Sequence, residues 1–214
     1  MIRALEALKR LQEGNRRFLQ EDLPPQALPS QERRRALADG QNPFAIILGC
    51  SDSRVPAEIV FDQGLGDLFV IRVAGNIVAP SQIGSVEFAA DRFGTRLVVV
   101  LGHSRCGAVQ ATLEELGRPK EAQSKNLMSI VDRIRPSVEP LLGEVRGPIS
   151  EDLMSAAVRA NVHASVLQLR HGSPILENLV QSSGLLVVGA EYSLETGQVE
   201  FFDTMGGDSR GYQV

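Results

Sequence analysis

Three short apolar runs, each bounded by loop residues, constrain this chain more than anything else in it: Phe44 to Gly49 (F-A-I-I-L-G), Arg96 to Gly102 (R-L-V-V-V-L-G) and Leu185 to Ala190 (L-L-V-V-G-A). Runs this short and rich in Val and Ile, with almost no polar alternation, read as strands covered on both faces. The stretches between them carry helical spacing, so strand and helix alternate. That pattern predicts an α/β fold with a central, mostly parallel β-sheet flanked by helices. A weaker run, Leu68 to Val73, adds a strand, and Gln198 to Asp203 a short fifth one.

The ends of two runs hold unusual chemistry. Cys50-Ser51-Asp52-Ser53-Arg54 follows the first strand, and His103-Ser104-Arg105-Cys106-Gly107 follows the strand Leu97 to Leu101. In open α/β sheets ligands bind at the carboxyl ends of the strands, so both loops belong on one rim. Cys50, His103 and Cys106 offer two thiolates and an imidazole, a donor set that suits zinc. Three ligands leave a fourth position for water or substrate, whereas a structural site is usually closed by four. Asp52 is close enough in sequence to fill that position as a fourth ligand in a closed state. Arg54 can hold the Asp52 carboxylate in a bidentate pair and keep it off the metal. A surface ion pair of little consequence is the bland reading of the same two residues.

The remaining segments take ordinary roles. Ile2 to Gln20 spaces Leu5, Leu8, Leu11, Phe18 and Leu19 as an amphipathic helix, and the linker Leu23 to Pro29 separates it from the body. Such an arm packs either across another subunit or locally. Ser30 caps a short helix ending at Gly40, Pro56 to Phe61 makes one helical turn, and Ser81 is a good N-cap for a helix closed by Gly94. Gly107 to Leu116 forms a helix whose N-terminus faces the Cys106 loop. From Gln123 to Leu169 the pattern is helical with breaks at Pro136, Pro140 and Gly147-Pro148, and Ser173-Pro174 opens a last helix. His163 and His171 read as helix-surface or packed residues, and Asp62, Asp67 and Glu87 are site candidates only by proximity in sequence. Gly64 and Gly66 precede a strand and so form no dinucleotide fingerprint. A single domain spanning 1–214 is expected, with 1–29 as helical arm and linker and 204–214 as a mobile tail.

Bulk properties exclude some function classes. With 22 Lys and Arg against 26 Asp and Glu, the net charge of −4 gives no broad field for nucleic acid or an anionic membrane. No run approaches the ~20 apolar residues of a membrane span, and the charged N-terminus is no signal peptide, so a cytoplasmic protein is expected. Two cysteines beside ionisable neighbours suit ligation better than a secreted disulfide framework.

Together, Cys50-Ser-Asp-Ser-Arg54 and Gly102-His-Ser-Arg-Cys-Gly107 resemble the paired signature motifs of the β-class carbonic anhydrases. Phe61-Asp-Gln-Gly-Leu-Gly-Asp-Leu-Phe69, Arg72-Val-Ala-Gly-Asn76 and Glu191-Tyr192-Ser193 resemble that family as well. The resemblance implies Zn2+ held by Cys50, His103 and Cys106, with Asp52 and Arg54 as the catalytic pair. Gln41, Phe69 and Gly107 match its substrate-pocket residues. It implies attack of zinc-bound hydroxide on CO2, giving bicarbonate and a proton. It also implies a homodimer or tetramer, with the active site near the subunit interface and the N-terminal helix on a partner. Members regulated by a second bicarbonate site carry a tryptophan three residues before the first cysteine, where this chain has Ile47 and no tryptophan anywhere. Hydrolysis of carbonyl sulfide or carbon disulfide on the same fold is the alternative reaction, and a non-catalytic zinc-binding bicarbonate sensor the alternative class.

Overall fold

The computed structural model describes residues 2–21, 30–116, 124–142 and 148–202. Five strands, β1 (Ala45–Gly49), β2 (Leu68–Arg72), β3 (Leu97–His103), β4 (Leu186–Tyr192) and β5 (Val199–Phe202), form one sheet in the order β2-β1-β3-β4-β5. The first four are parallel and β5 runs antiparallel to β4. Eight helices accompany them among the described residues: α1 (Ala4–Leu19), α2 (Gln31–Ala36), α3 (Ala57–Val60), α4 (Pro80–Arg92), α5 (Gly107–Glu115), α6 (Lys125–Leu142), α7 (Glu151–His171) and α8 (Pro174–Ser182).

The apolar runs are continuous because both faces of the sheet are covered. Ile47, Val99, Leu101, Val188 and Ala190 face a core completed by α1 and α3. Their neighbours Ile46, Leu48, Val98, Val100 and Val187 face a second core built with α4, α7 and α8. From β1 the chain runs first to β2 on one side and then returns to β3 on the other. That reversal opens a crevice at the carboxyl ends of β1 and β3, the place where such sheets bind ligands.

The amphipathic stripe of α1 is seated on its own chain. Ala7, Leu8 and Leu11 join the first core, whereas Leu5 and, at the helix end, Leu19 are exposed. Asn15, buried, donates from Nδ2 to the carbonyls of Val60 and Gly197 and accepts from the Val199 N–H, tying α1 to α3 and β5. The helix approaches so closely that a Cβ on Gly14 would stand 1.8 Å from the Phe61 carbonyl oxygen. Gly14→Ala should therefore lift α1 off its seat and cost roughly 1–3 kcal/mol in thermal unfolding. An unchanged Tm would contradict this packing.

Three local expectations need correction. The helix expected to be capped by Ser81 starts at Pro80 with Ala79 as N-cap, because a proline at N1 loses only an N–H that would be unpaired anyway. Neither Pro136 nor Pro140 breaks α6. Asp132, Pro136 and Pro140 lie four apart on the exposed side, so the carbonyls deprived of partners turn to solvent. Glu191 and Tyr192 belong to β4 itself, extended by pairing with β5, instead of following it. The linker Leu23 to Pro29, Gln123, Gly147, Asp203 and the tail 204–214 lie outside the described residues.

Candidate metal centre

Strand geometry delivers the two loops to one point. Cys50 is the first residue after β1, His103 the last of β3, and Cys106 the N-cap of α5. Between the last two, Arg105 takes a left-handed backbone (φ 53°), turning the chain so that Cys106 faces back toward His103. The Arg105 side chain pairs with Glu151 and Glu195 outside the site.

The three ligand atoms lie within 4.8 Å of one another, and all three residues are buried. Cys50 Sγ and Cys106 Sγ are 4.0 Å apart, both free thiols, among Ile77, Val109, Ile134, Ala157 and Val158. Contact with the Cys106 sulfur holds the Cys50 thiol well below its ordinary range, and the N–H groups of Gly75 and Asp52 act in the same direction against burial. Cys106 is pushed up by that same neighbour and by burial. The two sulfurs titrate as a pair, and a cation bound between them would displace their protons.

His103 supplies the decisive detail. Its Nδ1 lies 3.0 Å from the Ser104 carbonyl oxygen, which can only accept, so Nδ1 carries the hydrogen and Nε2 presents a lone pair. That Nε2 is fully buried without a hydrogen-bond partner among the described residues. A buried nitrogen lone pair clustered with two thiol sulfurs within 4.8 Å is a donor set that fits a zinc-like divalent cation.

Asp52 and Arg54 are paired as expected. Arg54 donates from Nε to Asp52 Oδ1 at 2.9 Å and from Nη2 to Oδ2 at 2.7 Å, and its backbone N–H donates to Oδ1 at 3.0 Å. This bidentate grip holds the Asp52 carboxyl well below the usual carboxylate range and raises Arg54 in turn. Asp52 Oδ2 stands 3.8 Å from His103 Nε2, beside the cluster and too far for a hydrogen bond. Arg72, at the end of β2, fixes the loop by donating from Nε to the Cys50 carbonyl at 3.0 Å and from Nη2 to the Asp52 carbonyl at 2.6 Å. Gly75 donates its N–H to Cys50 Sγ at 3.3 Å. Neither of these two roles follows from residue type; only their place in the Arg72 to Asn76 motif pointed to them.

The pocket residues divide. Gly107 adjoins Cys106, and a Cβ there would meet nothing within 4 Å, so it borders open space beside the cluster. Gln41 and Phe69 are not brought to it. Gln41 is exposed ahead of β1, and Phe69 pairs with Ile46 at the strands' other end, its ring tilted against those of Phe88 and Phe93. At a rise of about 3.3 Å per residue, roughly 13 Å of strand separates Ile46 from Cys50. His163 and His171 lie on α7 away from the cluster, and His171 pairs with Glu177. Asp62 pairs with Arg17, Asp67 with Arg10 and Arg33, and Glu87 accepts from Ser173, so all three have structural work.

Comparison with known proteins agrees with this geometry. The family model described as carbonic anhydrase matches residues 45–199. A carbonic anhydrase of Mycolicibacterium smegmatis is 41% identical over 202 residues, covering 94% of each chain. Carbonic anhydrase 2 of Mycobacterium tuberculosis is 39% identical over 200 residues, covering 94% of this chain and 93% of its own. Among solved structures, a Coccomyxa β-carbonic anhydrase in complex with acetazolamide superposes with a TM-score of 0.70 at 27% identity, covering 90% of this chain and 85% of its own. The paired loops, the cluster they build and these likenesses place the chain in the β-class carbonic anhydrase family.

Proposed function

We propose that the chain catalyses the zinc-dependent, reversible hydration of CO2 to bicarbonate and a proton, with Cys50, His103 and Cys106 as the protein ligands. The observation that carries this reading is the unpartnered, buried Nε2 of His103 facing two thiols. When bound there, zinc supplies Lewis acidity that makes water a usable nucleophile near neutral pH.

The chain's own residues do the rest. The Ser104 carbonyl holds the His103 ring in the ligating tautomer. Asp52, kept ionised by Arg54, accepts a hydrogen bond from the nucleophilic water at Oδ2 and orients it. Gly107 leaves room beside Cys106 for a small, uncharged substrate. Gln41 and Phe69 serve the pocket of a second subunit, since their own lies at the far end of β1; this favours a homodimer as the smallest working unit, with tetramers built from it. The intact Asp52–Arg54 pair favours an enzyme over a bicarbonate sensor. No helix among the described residues is long and apolar enough to cross a membrane. Two thiol ligands that must stay reduced suit the cytoplasm.

Stopped-flow hydration of CO2, before and after dialysis against a chelator, tests the reading. Activity should vanish with the metal and return with zinc. Activity that survives metal removal, or turnover of carbonyl sulfide in preference to CO2, would overturn it.

The pH dependence should be alkaline. Two thiolate ligands would place more negative charge on a bound zinc ion than neutral imidazoles do, and so would make water there harder to deprotonate. Titration of Asp52 is not the source of that rise. Its folded pKa lies below the unfolded value near ~4, so its pairing with Arg54 contributes above that pH and is lost only as the pH falls through the folded value. CO2 hydration should climb from pH 6.5 to 9 with Asp52 ionised throughout. A rate flat over this range would contradict the assignment.

A further inference from the structure

We propose that Asn161 is a positioning residue for the metal centre: from α7 it fixes the turn that donates the Gly75 N–H to the Cys50 sulfur, and so sets how strongly that sulfur donates to the metal. This rests on the zinc reading above. Asn161 is buried, and its Nδ2 donates to the Gly75 carbonyl at 2.8 Å. One turn further along α7, the buried Ser165 donates from Oγ to the Asn76 carbonyl at 3.2 Å. Two successive carbonyls are thus held by one helix face.

The turn they hold would not keep its shape unaided. Gly75 and Asn76 both take left-handed backbones, with φ of 69° and 45°. Asparagine tolerates this conformation better than most residues but does not prefer it. Only with that geometry does the Gly75 N–H point at Cys50 Sγ. From the other side Ile134 and Ala108 press on the turn, and a Cβ at Gly75 would stand 2.7 Å and 3.1 Å from them.

α7 is itself rigidly seated. Val162, next to Asn161, lies against Gly102 and Gly189 so tightly that a Cβ on either would come within 2.5 Å and 3.0 Å of its methyl groups. The position of the sheet is therefore passed through α7 to the turn and on to a ligand sulfur. A hydrogen bond donated to a thiolate draws charge from it, leaving the metal more electron-poor and its water more acidic.

Cobalt(II)-loaded protein gives a readout that a merely structural residue would not move. Asn161→Ala, and Asn161→Asp, which keeps the shape but cannot donate, should shift the sulfur-to-cobalt charge-transfer band to longer wavelength. Both should weaken zinc binding by about tenfold and move the alkaline limb of activity to higher pH. Should either fail to fold, Ser165→Ala removes only the Asn76 anchor and should shift the band less, in the same direction. Val166→Ala, buried on the same helix away from the turn, should lower stability and leave the band in place. An unmoved band in the folded Asn161 and Ser165 variants, or an equal shift in Val166→Ala, would overturn the proposal while leaving the zinc reading intact. Failure of the unaltered protein to take up cobalt or zinc would overturn both.

Discussion

Cys106→Ala should yield a folded protein without bound zinc, in which CO2 hydration falls to the uncatalysed rate. Cys106 is the N-cap of α5 but contributes no side-chain cap hydrogen bond, so its loss does not unravel the helix. Its sulfur sits in an apolar cluster, and truncating it costs packing of only one small side chain. What disappears is one of three donors, and two donors, Cys50 and His103, make a poor site for zinc. Zinc content after purification and circular dichroism report the two effects separately. Retained zinc with retained activity would mean that another residue closes the site.

The second large effect is expected at Arg54. Arg54→Ala frees a carboxylate whose Oδ2 is 3.8 Å from His103 Nε2, adjacent to the position left open for water. Of the donors that hold the Asp52 side chain in the described structure, only the backbone N–H of residue 54 would remain, so the carboxylate would be free to turn toward the metal and occupy that position. The rate at neutral pH should fall by about 100-fold or more, the scale of losing a positioned proton-handling group and the vacant position together. Asp52→Asn should lose the oriented water without blocking the metal. The combined Asp52→Asn, Arg54→Ala protein should therefore be no worse than Arg54→Ala alone. Full activity of Arg54→Ala would show that the pair is only a surface ion pair.

The sequence carried these parts of the site unevenly, for physical reasons. Runs such as Leu97 to Leu101 announce a doubly covered strand because no polar residue can be hidden there, and they end where backbone must turn and side chains can converge. That made Cys50, His103 and Cys106 legible together. The Asp52–Arg54 pair is local, two residues apart, and needs no long-range fold to form. Asn161 was invisible because an amide on a buried helix face gives no periodic signal, and its partner is a backbone carbonyl 86 residues away. Pro136 and Pro140 misled because proline is read as a break, while two prolines on the solvent side of α6 leave its buried face, Val131, Ile134 and Val138, undisturbed. Gln41 and Phe69 match pocket residues through the family resemblance, which does not say whose pocket they line, and one strand length separates Phe69 from the cluster of its own chain.

Everything in the proposed mechanism depends on one ion held by two sulfurs and one imidazole nitrogen with a position to spare. X-ray absorption at the zinc edge of the loaded protein measures that directly. The account predicts two sulfur scatterers near ~2.3 Å and two nitrogen or oxygen scatterers near ~2.0–2.1 Å. A shell without sulfur, or one in which Cys50→Ser leaves the sulfur count at two, would contradict it.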